Sequence, residues 1–219
     1  MISVFVGLGK ELKQHGLAVQ KVAGWQNRGS TTFAPRGIIF HHTASNAAGG
    51  NAPALGIVTH GRSDLPGPLC QFLVGRDGTI FFVAAGRANH AGTGGPIKGI
   101  AQDNGNTFTI GVECENNGIG EKWGADQLEA IAILFAILLD RMEASPQMII
   151  GHREWTTRKI DPANIDLNAF RARVGKVDLD PKTEWRLTAT HIIKGGGRAR
   201  DRARQMREKG WKTNLEKVE

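Results

Sequence analysis

Two neighbouring imidazoles, His41 and His42, stand in the run "IIFHHTAS" at residues 38–45, and a third, His152, closes "IIGH" at residues 149–152. Asp161 follows in "REWTTRKIDP", with Lys159 two places before it. Imidazole nitrogen and carboxylate oxygen are common zinc donors, and two strand-end histidines with one loop carboxylate form a three-ligand set. Such a set leaves a tetrahedral ion one position open for water, which is catalytic and not structural stoichiometry. Successive side chains of an extended chain point to opposite faces, so His41 and His42 cannot both serve one ion. One is expected to be functional and the other structural. Glu113 and Glu115, in "GVECEN" at residues 111–116, share one strand face by the two-residue period, and either could do acid–base work. Alternation does not choose between them.

These residues need a frame, and short runs rich in Ile, Val and Phe supply strand candidates at 37–42, 70–75, 79–85, 109–115 and 147–152. Asp77-Gly78, in "RDG" at 76–78, marks a hairpin between two of them, because Asp-Gly readily gives the positive φ of a tight turn. The spacing of Leu128, Ile131, Ala132, Phe135 and Leu139 predicts a helix over 126–143, apolar nearly all round its middle and so packed deep on a sheet. A weaker helix is expected over 52–62. Strands alternating with helices imply an α/β fold, a mixed central sheet flanked by helices. The glycine-rich 89–107 segment reads as a long functional loop and not a phosphate cradle, since no helix is expected after it.

The chain of 219 residues is long enough for one ordinary domain and a small appendage. Composition shifts near residue 174, which divides it into a catalytic domain at 1–175 and, at 176–219, a linker with a small basic strand–helix–strand unit. Of the net charge of +7, residues 181–219 carry 11 Lys+Arg against 5 Asp+Glu, a net +6, leaving +1 for the rest. That basic tail suits an anionic polymer or surface. Its arginine-rich helix, expected at 198–209, has no stacking aromatics or DNA-binding motif beside it, so nucleic acid is not the expected partner. No apolar run reaches the length of a membrane span, and the first residues lack the features of a secretory leader, so a cytoplasmic start is expected. Cys70 and Cys114 fall within strand candidates and are read as reduced thiols.

Five pieces, "IIFHHTAS", "FLVGRDGTIFFVA", "NHAG", "TIGVECEN" and "IIGHREWTTRKIDP", occur in that order over roughly residues 25 to 167. Together they resemble the zinc-dependent N-acetylmuramoyl-L-alanine amidases related to phage lysozyme-type amidases and peptidoglycan-recognition proteins. The runs "LPGPLCQFLVGRDG" and "AAGRANHAG" are similar to amidase domains of endolysins from actinobacterial phages. The resemblance implies a peptidoglycan-recognition-protein-like fold, one Zn2+ ion, and hydrolysis of the amide between N-acetylmuramic acid and L-alanine. It assigns His41, His152 and Asp161 as metal ligands and turns His42 to the other side of the sheet. It selects Glu113 as general base, leaving Glu115 as an exposed carboxylate at the strand end. Lys159 is implied as the stabiliser of the oxyanion and His90 as a lining residue of the substrate groove. Several phage relatives carry a catalytic tyrosine where this chain has Cys70, and the chain contains no tyrosine. The implied role is that of a phage or prophage endolysin, held in the host cytoplasm before it acts at the wall. A non-catalytic peptidoglycan binder and a cytoplasmic muropeptide-recycling amidase are the alternatives.

Overall fold

The branched and aromatic runs form a six-stranded sheet that ends several strands at one place. The computed structural model describes residues 3–180 and, beyond them, only the backbone of Glu184–Leu187, His191–Lys194 and Leu215–Lys217. The strands are β1 (Val19–Lys21), β2 (Gly37–Phe40), β3 (Gly61–Arg62), β4 (Leu65–Pro66), β5 (Phe72–Val74), β6 (Ile80–Phe82), β7 (Thr109–Cys114) and β8 (Ile149–Gly151). The helices are α1 (Leu8–Gln14), α2 (Leu55–His60), α3 (Gly105–Phe108), α4 (Ala125–Arg141), α5 (His152–Trp155) and α6 (Leu167–Val174). The main sheet runs in the order β1-β6-β5-β7-β2-β8, and β3 pairs only with β4. Only the β5–β6 pair in this sheet is antiparallel, joined by the expected Asp77-Gly78 turn, with Gly78 at φ 84°. The sheet is therefore mixed, as the alternation of strands and helices implied.

Alternation along β2 sorts the two cores. Ile38 and Phe40 join the large cluster under α4, whereas Ile39 packs with Ala91, Ile100, Ile150 and Trp155 on the opposite face. Residues 130–139 of α4 are all buried, because the sheet covers one side of the helix and α1 and α6 contribute Leu8, Leu12 and Phe170 to the same cluster. Phe135, Phe40 and Phe170 pack as a triangle of rings, with Phe135 centroid distances of 5.2 Å to Phe40 and 5.9 Å to Phe170. Burial of side chains of this size stabilises by about 1.5–3 kcal/mol each, which is how a helix this apolar is held against a sheet in water.

Two expectations need correction. The 89–107 segment is not loop throughout, since its last residues enter the single turn α3, and the loop before that turn lies over Trp155, whose carbonyl accepts from Gly95 N–H at 2.8 Å. In the tail, the stretch expected as one strand is an antiparallel pair, β9 (Glu184–Leu187) with β10 (His191–Lys194), and β11 (Leu215–Lys217) pairs antiparallel with β9. The described strands thus form a three-stranded antiparallel sheet where two strands were expected, and the helix expected at 198–209, between β10 and β11, lies outside the described residues. β1, α1 and α6 were not anticipated, being too short to show a period. Cys70 and Cys114 are free and buried, and no helix among the described residues is long and apolar enough to cross a membrane.

Candidate active site and metal centre

Strand register assembles the centre. Phe40 pairs with Val112 on one side and Gly151 on the other, so the next residue of each strand, His41, Glu113 and His152, stands level at the carboxyl ends of three adjacent parallel strands. Carboxyl ends of parallel strands are where open α/β sheets hold their ligands. His41 Nδ1 lies 2.9 Å from His152 Nδ1, and Asp161 Oδ2 lies 3.1 Å and 3.0 Å from those two nitrogens. All three residues are buried.

Asp161 comes from a loop, so its place depends on tethers. Its backbone carbonyl accepts from Arg153 N–H at 2.8 Å, and the Ala163 carbonyl accepts from Trp123 Nε1 at 2.9 Å. Ala163 N–H donates to His42 Nδ1 at 3.0 Å. This answers why the pair of histidines exists: His41 turns into the centre, while His42, on the other face of the strand, holds the loop that brings Asp161 to it. His42 packs so closely on Gly118 (φ 70°) that a Cβ there would come within 2.3 Å of Nε2. His42→Ala should cost about 1 kcal/mol of stability by removing the acceptor of a half-buried N–H. His42→Asn, whose Oδ1 can accept the same proton, should lose less, as paired thermal melts would show.

Charge in the centre is strongly shaped by burial. Glu113 Oε1 sits 4.0 Å from His41 Nδ1, and Oε2 is buried without a hydrogen-bond partner. Burial, then the Asp161 and Glu115 carboxylates, push the Glu113 carboxyl up to about 8, with Lys159 opposing them. Burial also lowers His41 to about 4. Asp161 behaves oppositely: burial pushes its carboxyl up, but hydrogen bonds from His152 and His41 outweigh that and hold it below the usual carboxylate range. Two carboxylates in one site are thus driven apart, one towards a proton acceptor near neutrality and the other towards a permanent anion. Lys159 is exposed, and its charge reaches both His41 and Glu113.

Two placements differ from expectation. Glu115 is not an exposed carboxylate at the strand end: it is fully buried, accepting from Thr43 Oγ1 and Ala54 N–H at 2.8 Å each and from Ser45 Oγ. It clamps the segment after His41-His42 to β7, and Arg76 Nη1 lies 3.8 Å from it. His90, expected to line the substrate groove, is buried against His41, with Nδ1 3.1 Å from His41 Nε2 and Nε2 3.2 Å from the Thr109 carbonyl. Cys70 packs in the cluster with Leu69, Leu73 and Val83, and burial pushes its thiol well up, so it stays a protonated thiol outside the convergent set. Asn106, which sequence reasoning passed over, accepts from the N–H groups of both His90 and Ala91 at 2.8 Å each. One amide among several in a glycine-rich segment offered no signal for this.

The donor set fits a zinc ion. One atom each from His41, His152 and Asp161 lie within 4.8 Å of one another, two nitrogens and one oxygen, with the Glu113 carboxylate, whose Oε2 has no hydrogen-bond partner, beside them. Comparison with known proteins places this geometry in a lineage. The family model described as N-acetylmuramoyl-L-alanine amidase matches residues 31–164, which include every residue of the centre. No curated protein sequence matches the chain. Among solved structures, the mutant endolysin from Bacillus subtilis aligns at 21% identity and TM-score 0.55, covering 73% of this chain and 99% of that one. The endolysin amidase LysCS from Clostridium intestinale aligns at 21% identity and TM-score 0.52, over 71% of this chain and 94% of its own. A selenomethionine derivative of AmpD aligns at 22% identity and TM-score 0.53, over 72% and 94%. At such identities the likeness is one of fold, and the family rests on the match across more than half of the sequence. With three metal donors and a raised carboxyl gathered inside that matched region, the chain belongs to the N-acetylmuramoyl-L-alanine amidase family of peptidoglycan hydrolases.

Proposed function

We propose that this chain is a zinc-dependent lysin of phage or prophage origin that hydrolyses the amide between the lactyl group of N-acetylmuramic acid and L-alanine. The observation that carries the reading is the convergence of His41, His152 and Asp161 beside a buried carboxyl with a raised pKa. A zinc ion held by those three residues would supply Lewis acidity, polarising the scissile carbonyl and acidifying water. Glu113 takes the proton of the attacking water and hands it to the departing L-alanine amine. Lys159, exposed at the mouth with its charge reaching the centre, stabilises the negative charge that develops on the carbonyl oxygen. Fold likeness to proteins named as endolysins supports the lysin role, which would keep the enzyme in the host cytoplasm until it reaches the wall.

Digestion of purified sacculi tests the reaction. New L-alanine amino termini with no rise in reducing sugar ends are expected, and reducing ends alone would identify a glycosidase instead. A dialysed protein without zinc, and with none regained on adding it, would favour a non-catalytic binder. Equal turnover of soluble muropeptides and walls would favour a recycling role. The excess of basic residues over 181–219 supports attraction to anionic wall polymers, which salt would screen. Removal of residues 181–219 should leave muropeptide hydrolysis nearly intact and reduce wall binding chiefly at low ionic strength. Unchanged binding at every salt concentration would reject the targeting role.

A further inference from the structure

We infer that residues 89–91 form a bracket that orients both metal-facing imidazoles so that, in the zinc-loaded protein, Nδ1 is the nitrogen offered to the ion, and that His90 and Asn106 are positioning residues within it. The inference rests on the metal reading above and concerns what prepares the ligands. A neutral imidazole carries one N–H and one acceptor nitrogen, and which is which follows from what each nitrogen meets. The Thr109 carbonyl can only accept, so the proton of His90 resides on Nε2, 3.2 Å away. His90 Nδ1 is then an acceptor, and the group it meets at 3.1 Å, His41 Nε2, must be the donor. In the zinc-loaded protein His41 Nδ1, which faces His152 and Asp161, is then the nitrogen left for the ion, whereas without metal it is the nitrogen that hydrogen-bonds Asp161.

The neighbouring residue does the same for the second ligand. The Ala91 carbonyl accepts from His152 Nε2 at 3.1 Å, which makes His152 Nδ1 in turn the nitrogen left for the ion. Two consecutive residues therefore set the tautomers of ligands that are 111 positions apart in the chain. The bracket is fastened from behind. Asn106 Oδ1 accepts from both of its N–H groups at 2.8 Å, and Asn89 N–H and Nδ2 donate to the Pro68 and Pro66 carbonyls at 2.8 Å and 3.0 Å. Gly111 makes room for the His90 ring, since a Cβ there would fall 2.4 Å from His90 Cγ. A ring held this closely, with both nitrogens engaged inside the protein, is built to orient His41.

Zinc itself is the probe, titrated in competition with a chromophoric chelator against the full chain and its His90→Phe, Asn106→Ala and Asn106→Asp variants. Partners behind a metal ligand typically change metal affinity by about 10- to 100-fold. His90→Phe should weaken zinc binding by that factor and Asn106→Ala should weaken it in the same direction. Asn106→Asp keeps the acceptor and should stay close to wild type. Nitrogen-15 spectra of the zinc-loaded wild type should show His90 protonated on Nε2 and bare on Nδ1, with the His41 Nε2 proton protected from exchange. If His90→Phe does not fold, the Asn106 pair and the spectra decide. A His90 proton on Nδ1, or equal zinc affinity for wild type and both weakening variants, would overturn the bracket alone. A wild type that binds no zinc would overturn the metal reading and the bracket together.

Discussion

Glu113→Gln should reduce hydrolysis of the muramoyl–L-alanine amide by about 10²- to 10⁴-fold, the usual loss when a positioned general base is removed. It should also make the metal-free protein more stable at neutral pH. Glu113 has a raised pKa, about 8 in the fold against 4.5 for the ordinary group. The folded state therefore binds the proton more tightly than the unfolded chain. Stability from this group is full below 4.5 and is lost as pH rises towards 8, so wild type is penalised across neutrality. One pKa unit corresponds to about 1.4 kcal/mol, which puts the gain from glutamine at roughly 3–3.5 kcal/mol near pH 7. Glutamine cannot ionise, so its advantage should shrink as pH falls towards 4.5. Metal-free melts of both proteins at several pH values, alongside turnover of a soluble muropeptide, read out the two effects. An inactive variant with no pH-dependent gain in stability would mean that burial does not raise this carboxyl.

How much of this centre could be seen beforehand depends on the distance over which each residue is determined. His41, Glu113 and His152 each end or nearly end a short apolar run, a local signal, and the parallel register that levels them follows from the runs being buried on both faces. Glu115 illustrates the limit. Alternation puts it on the face of Glu113 and says nothing of its burial, which depends on Thr43, Ser45, Ala54 and Arg76, residues that only the fold brings over the strand end. His90 fails for a similar reason: a histidine in a glycine-rich loop gives no hint of which way the loop turns, and here it turns beneath His41. His42 could be assigned to the opposite face, whereas its partner is a backbone N–H 121 positions away that no side-chain pattern announces. The long helix was legible because ten successive buried positions override the need for a clean stripe, and α1 and α6 were not because seven and eight residues hold too few turns.

Asp161→Asn should abolish zinc binding in practice and with it hydrolysis, and it should move metal-free stability in the direction opposite to Glu113→Gln. The Asp161 carboxyl is held below its ordinary range by hydrogen bonds from His152 and His41, so its contribution is present above the unfolded value of 3.8 and lost as pH falls. An amide in its place offers those nitrogens a weaker, uncharged acceptor. Lost hydrogen bonds to a charged group of this kind cost about 1.5–3 kcal/mol. The metal experiment is sharper. A ligand that binds only the folded state stabilises it by about 2.7 kcal/mol at a hundred times its dissociation constant, so zinc should raise the melting temperature of wild type. Removing a ligand itself should weaken binding by more than the roughly 100-fold seen for partners behind a ligand, leaving no shift at the same zinc concentration. Chelation should likewise silence wild type, with activity returning on added zinc. Should Asp161→Asn melt lower than wild type without metal yet show the same zinc-induced rise, Asp161 would be a tether for the two histidines and the third donor would have to be sought elsewhere, with Glu113, 4.0 Å from His41 Nδ1, the nearest carboxylate placed to serve.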